Sequence, residues 1–247
     1  MFGAVALAVA GCGGEDRDPA PRPPALQRVD VGAGARGAAV FRPAGAARPL
    51  PVVVFVHGLF ATDPDTYGAW IRHLVRDGNV VIYPAYQGAL TPPAAFLANT
   101  VAGVRAALAR LPRRPRTVVV AGHSAGGALA ADYAAAAREL RLPPARAVYS
   151  VYPGRALDGV PLRIGEANPA GVPPGTRILA LAGARDRTVG TATARAIVRD
   201  ATSVPRARRT YRLVTDARVD EHLSPLRTDA VARRTFWAPL DRLLDAN

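Results

Sequence analysis

The chain has 247 residues and a formal charge of +13, yet every basic residue is arginine. The arginines are spread through all segments, with only short pairs such as Arg113-Arg114, Arg208-Arg209 and Arg233-Arg234 and no interleaved aromatics, which argues against a nucleic-acid groove. A hydrophobic content of 49% fits one large α/β domain, and the single cysteine, Cys12, excludes an intrachain disulfide and a cysteine-based metal cluster.

The first stretch, "MFGAVALAVAGCGG", is a short apolar run ending in Val9-Ala10-Gly11-Cys12. It resembles the lipobox of a bacterial lipoprotein signal, although no basic residue precedes the run. The resemblance implies a signal segment over residues 1–12, a lipid on Cys12 and an extracytoplasmic, membrane-anchored mature protein. The run is too short to span a bilayer, so the lipid is the only membrane tie expected. Residues 13–26 are charged and rich in proline and glycine and read as an extended tether; the folded domain is expected over 27–247.

From Gln27 onward strand and helix patterns alternate, which predicts an α/β domain with a mostly parallel sheet covered on both faces. Residues 29–31 and 38–42 read as an opening hairpin, and 51–56, "PVVVFV", as a strand buried on both faces. A helix over 67–76 closes at Asp77-Gly78. Then come a strand at 80–83, a helix at 94–111, a strand at 117–121, a helix at 125–140 and a strand at 145–151. The proline- and glycine-rich connection 153–175 leaves little room for a cap. A strand at 177–183, a helix at 191–201, a strand at 210–214 and a helix from about Thr228, kinked or divided at Pro239, complete the domain.

The stretch "TVVVAGHSAGGALA" runs a strand into a helix with no loop between them. Such a reversal strains the residue at its apex, Ser124, and requires small neighbours, which Gly122 and Gly126 supply. The G-x-S-x-G arrangement exposes the serine hydroxyl above the sheet, and the backbone amide of Ala125 points where an oxyanion would form. The start of the following helix adds positive potential at the same place.

With this elbow in its strand-to-helix context, the region from about Gln27 resembles the α/β-hydrolase superfamily, and within it the compact serine esterases and lipases, including the group with cutinase-like polyester hydrolases. That resemblance implies a nucleophile, an acid and a histidine in this chain order, with little or no cap and no cofactor or metal. Of the four histidines only His222 follows the last predicted strand, where the family keeps its base. The implied acid is Asp186, just past the strand at 177–183, with Asp158 as its rival. The implied second oxyanion donor is the backbone amide of Leu59, or of Phe60 one residue on. His57 reads as structural and His73 as a solvated helix residue; Asp216, Asp220 and Glu221 read as solvated. Phe60, Tyr86, Gln87 and Tyr152 follow strands at the expected carboxyl edge and read as packed loop residues that line the pocket at most.

The expected reaction is hydrolysis of a small-molecule or lipid carboxylic ester through an acyl-enzyme, by a monomer with no nucleic-acid partner. Acyl transfer or peptide cleavage on the same three side chains, and a surface-anchored binding protein that has lost activity, are the rival functions. Serine at the elbow disfavours dehalogenase and epoxide-hydrolase chemistry, which this fold runs with aspartate.

Overall fold

The computed structural model describes residues 25–46, 48–157 and 160–246, so the expected signal segment and nearly all of the tether lie outside the described residues. Strands form where apolar and β-branched residues run together between proline, glycine and aspartate. The opening hairpin pairs Leu26–Val31 (β1) with Ala38–Pro43 (β2), starting one residue ahead of the expected Gln27. Val52–Val56 (β3), Gly68–Arg76 (α1), Val80–Pro84 (β4), Phe96–Arg110 (α2), Val118–His123 (β5), Ala125–Ala136 (α3) and Ala147–Val151 (β6) follow. A short ribbon of Ala156–Leu157 (β7) and Val160–Arg163 (β8) precedes Arg177–Gly183 (β9), Ala192–Asp200 (α4) and Arg209–Val214 (β10).

The main sheet has eight strands in the order β1-β2-β4-β3-β5-β6-β9-β10, parallel from β4 to β10, with β2 antiparallel to both of its neighbours. Alternation along β3 shows how two layers cover it: Val52, Val54 and Val56 pack with α2, α3 and α4, whereas Val53 and Phe55 pack with α1 and the C-terminal helices. All five of these residues are buried, which is why the strand reads as a continuous apolar run. This is the α/β-hydrolase fold expected from the sequence, and its parallel order brings the carboxyl ends of β3, β4, β5, β6, β9 and β10 to one edge.

Among the departures from the expected bounds, three have an evident local cause or bear on the turn at Ser124. The strand before the elbow continues through Gly122 to His123, so Ser124 alone makes the turn. Helix α3 ends at Ala136 rather than near residue 140; Arg141 takes a left-handed φ of 53° before Pro143. The C-terminal helix is divided into Ala230–Ala232 (α5), a π turn at Arg233–Trp237 and Ala238–Asp245 (α6). Pro239 has no N–H and its ring crowds the carbonyl four residues back, so the ladder widens just ahead of it.

The connection over 153–175 holds only the β7–β8 ribbon and a 3-10 turn at Pro169–Gly171 among its described residues. It is pinned to α3 by a bidentate pair in which the Arg155 guanidinium donates to both Asp132 oxygens at 2.7 and 2.8 Å. The side chains are 11% and 3% exposed, and burial raises the Asp132 pKa against the opposing pull of Arg155. Arg155→Met therefore strands a buried carboxylate, at a cost of about 3–5 kcal/mol. The expected drop in melting temperature is about 10 °C, and Asp132→Leu in the same chain should recover much of it. An unchanged melting temperature for Arg155→Met would show that the pair does not hold the connection.

Candidate active site

At the junction of β5 and α3 the backbone of Ser124 has φ 57° and ψ −126°, a left-handed conformation that costs a non-glycine residue about 1–3 kcal/mol. Close backbone approach around it leaves room only for glycine. A Cβ on Gly122 would sit 2.2 Å from the Gly126 carbonyl oxygen, and one on Gly126 would sit 2.0 Å from that of Val56. The loop after β3 packs beside the serine at ordinary contact distance, since a Cβ on Gly58 would lie 3.4 Å from the Ser124 Cβ. Of the five non-glycine residues with positive φ among the described residues, Phe60, Tyr86, Ser124 and Tyr152 follow β3, β4, β5 and β6 at this one edge. Strain is thus gathered where four strand ends converge.

The structure brings Ser124, His222 and Asp186 together from three loops. His222 Nε2 lies 2.9 Å from Ser124 Oγ, and His222 Nδ1 lies 2.8 Å from Asp186 Oδ2. The other Asp186 oxygen accepts the amides of Thr188 and Val189 at 3.0 and 3.2 Å, so the backbone of its own turn fixes the carboxylate. As the first residue of α3, Ala125 has a backbone N–H with no acceptor one turn back in the helix. After β3, the amides flanking Leu59 and Phe60 are engaged: Gly58 N–H donates to Tyr67 Oη at 3.1 Å and Ala61 N–H to the Gly58 carbonyl at 3.2 Å. Asp158, the rival acid, lies outside the described residues.

The loop that carries His222 is held by residues whose part the sequence did not disclose. Tyr152 Oη donates to the Val219 carbonyl at 2.6 Å, and Arg185 N–H to the Asp220 carbonyl at 3.2 Å. Asp220 is not solvated, as expected from its place in a polar loop, but buried and bonded to Arg185 Nε at 2.9 Å. Glu221 is exposed and Asp216 half-buried, the latter paired with Arg218. His73 is also less free than expected: it lies 3.0 Å from Asp241 and 3.2 Å from Asp77, tying α1 to α6. Those three have ligand atoms within 4.8 Å of one another, but they sit by Pro51 and Thr117, at the amino edge of the sheet.

His57 is structural in this arrangement, buried with its nitrogens toward the Gly58 and Ala85 carbonyls and stacked on Tyr86 at 4.3 Å. Tyr86 and Tyr152 are fully buried and Gln87 nearly so, whereas Phe60 is 76% exposed on the loop after β3. Leu223, next to His222, is 65% exposed. An open groove of about 810 Å³ borders His222 and is lined also by Arg185, Arg187, Thr188, Leu223 and Arg227.

Residues 53–246 match the sequence description of the alpha/beta hydrolase family. The chain belongs to that family. The hydrolase fold recurs in a putative dienelactone hydrolase from Klebsiella pneumoniae, at 17% identity and a TM-score of 0.64, over 90% of this chain and all of that one. It recurs also in a hyperthermophilic esterase from Pyrobaculum calidifontis, at 16% identity and a TM-score of 0.68, covering 90% of this chain and 83% of that one. A thermostable esterase from Pseudomonas putida shares 19% identity with a TM-score of 0.67, over 90% and 83% of the two chains. No curated protein matches the sequence.

Two buried imidazoles make the stability of this hydrolase acid-sensitive. Burial lowers the His57 pKa to about 4; burial, with a smaller repulsion from His222, lowers that of His123 to about 3. In the unfolded chain both take up protons below about pH 6.5. Stability is therefore fully present above that pH and falls on acidification toward the folded-state values, by about 1.4 kcal/mol per pH unit for each ring. His73 acts in the opposite sense, because its hydrogen bond to Asp241 raises its pKa, but that pair is partly exposed and counts for less. Urea midpoints should drop steeply from pH 6.5 to 5, above the carboxylate range; a flat profile there would contradict the neutral burial of both rings.

Proposed function

We propose that the protein is a serine hydrolase that cleaves carboxylic esters through an acyl-enzyme. The observation that carries the proposal is the unbroken chain from Ser124 Oγ to His222 at 2.9 Å and on to Asp186 at 2.8 Å. A serine hydroxyl is a weak nucleophile until a base takes its proton, and the base must be held in one tautomer with its charge balanced. Asp186 accepts the Nδ1 proton, which leaves Nε2 free to accept the proton of Ser124.

Attack by Ser124 Oγ on the ester carbonyl gives a tetrahedral oxyanion, which receives the amides of Ala125 and of Leu59 or Phe60. His222 passes the proton to the departing alcohol. Water then repeats the sequence on the acyl-enzyme and releases the acid. No step in this cycle calls for a metal or an organic cofactor.

The substrates are soluble or lipid esters that reach an uncapped site, as in the compact cutinase-like group. Exposed Phe60 and Leu223, on the loops beside the serine, favour apolar acyl or alcohol groups. A fluorophosphonate probe should label the purified protein, and an acyl-length series of p-nitrophenyl esters should be turned over, both only when Ser124 is present. A protein that takes up no probe and cleaves no ester in the series is a binding module on a hydrolase scaffold.

The mature protein acts as a monomer outside the cytoplasm, tethered by a lipid on Cys12. None of the described helices is long and apolar enough to cross a membrane. Cys12→Ala should move the protein from the detergent phase to the aqueous phase. Mass spectrometry of the native N-terminus that finds Cys12 without lipid would refute the anchor.

A further inference from the structure

We infer that His123 and Tyr67 form a neutral positioning relay that locks the base loop to the oxyanion loop and so sets the turnover of Ser124. The inference rests on the serine-hydrolase reading above and extends it to two side chains that touch neither substrate nor reacting atoms.

The relay has four members and three hydrogen bonds. Gly58 N–H lies 3.1 Å from Tyr67 Oη, Tyr67 Oη lies 2.9 Å from His123 Nδ1, and His123 Nε2 lies 2.9 Å from the His222 carbonyl oxygen. Its two ends fix the direction of every proton. A carbonyl only accepts, so His123 Nε2 carries the hydrogen, and in the neutral ring Nδ1 is then the acceptor. Tyr67 must then donate to Nδ1, and its oxygen is left to accept from Gly58, whose amide only donates. With the ring neutral, no other arrangement of the protons satisfies all three bonds.

The surroundings keep that arrangement in place. His123 and Tyr67 are 3% and 4% exposed, so water offers no substitute partner. Burial keeps His123 neutral and Tyr67 protonated, as the direction of the chain requires. Phe55 packs on the Tyr67 ring at 5.0 Å, and the 3-10 turn Pro64–Tyr67 sets the tyrosine at the entry to α1.

The relay joins the parts that must be in register for acyl transfer. Gly58 opens the loop with the second oxyanion amide, His123 is bonded through the backbone to Ser124, and the accepting carbonyl belongs to His222 itself. The carbonyls of Val219 and Asp220 are held from the ends of β6 and β9 by Tyr152 and Arg185. His123, at the end of β5, supplies the corresponding hold at the base. An error of about 1 Å in such groups is enough to cost about a hundredfold in rate.

The test compares His123→Phe, Tyr67→Phe, the double variant and His123→Gln in the full chain, with turnover of p-nitrophenyl acetate counted per fluorophosphonate-titrated site. Tyr67→Phe removes one oxygen atom, so it keeps the test open if His123→Phe does not fold. Each single variant should lose about 10–100-fold in kcat, with KM within about twofold, and the double should be little worse than either single variant. Glutamine offers an acceptor and a donor about as far apart as the two ring nitrogens and should restore most of the loss. Hydrogen exchange over residues 216–224, which needs no substrate, should quicken in both single variants and not in His123→Gln.

A purely structural role lowers the melting temperature while leaving kcat per titrated site and loop exchange at wild-type values; that result, or fully multiplicative losses in the double variant, overturns the relay. Wild-type protein without Ser124-dependent turnover refutes the hydrolase reading instead, and the exchange experiment then decides the relay by itself.

Discussion

Ser124→Ala should reduce ester turnover by on the order of a million-fold, and His222→Ala should match it. The two losses coincide because neither group has a function without the other. Nε2 of His222 stands 2.9 Å from the hydroxyl and has no proton to take once the oxygen is gone. The double variant should therefore be no slower than either single one. The residual rate, above that in water, measures the oxyanion amides and substrate binding alone.

Asp186→Asn should cost less, about ten-thousand-fold, because the ring stays in place while its tautomer is reversed. An amide nitrogen set at 2.8 Å from Nδ1 drives the ring proton to Nε2, where it blocks acceptance from Ser124. The backbone amides of Thr188 and Val189 still hold the remaining oxygen, so the geometry survives. Single-turnover measurements with p-nitrophenyl esters check the series. Ser124→Ala with more than a hundredth of wild-type turnover would end the mechanism.

Gly126→Ala has the second large expected effect, and it falls on the fold before the chemistry. The new methyl group would sit 2.0 Å from the Val56 carbonyl oxygen and 2.3 Å from that of His57. Both are backbone atoms of a central strand and its exit, so no side chain can swing aside. To relieve the clash α3 must lift off the sheet, taking with it the turn that places Ser124. A cost on the order of 5 kcal/mol is expected, comparable to the whole stability of many domains. Little soluble protein should form, and what forms should react poorly with a fluorophosphonate. A Gly126→Ala variant with the wild-type urea midpoint would contradict the close approach of helix and sheet at the elbow.

The order of strands and helices was legible because each depends on local pattern. The run 51–56 announces β3 through its unbroken apolar character, and Asp77-Gly78 ends α1 through the left-handed freedom of Gly78, with φ 85°. The elbow was legible for the same reason, since its glycines and serine lie within five residues and impose their own backbone. The divided C-terminal helix was half-legible: Pro239 marks the break, but the burial of Phe236 and Trp237 within the π turn ahead of it is a matter of the core they enter.

The sequence by itself determined the strand-to-helix turn, the serine at its apex, and the family whose chain order nominates Asp186 and His222. Only the tertiary structure decided that these three side chains meet, that Asp220 is a buried anchor rather than a solvated acid, and that Tyr67 reaches across to His123. Composition and periodicity report what a segment of chain does with its own neighbours. Hydrogen bonds spanning 35 to 99 residues depend on how the sheet orders its strands, and no local pattern encodes that.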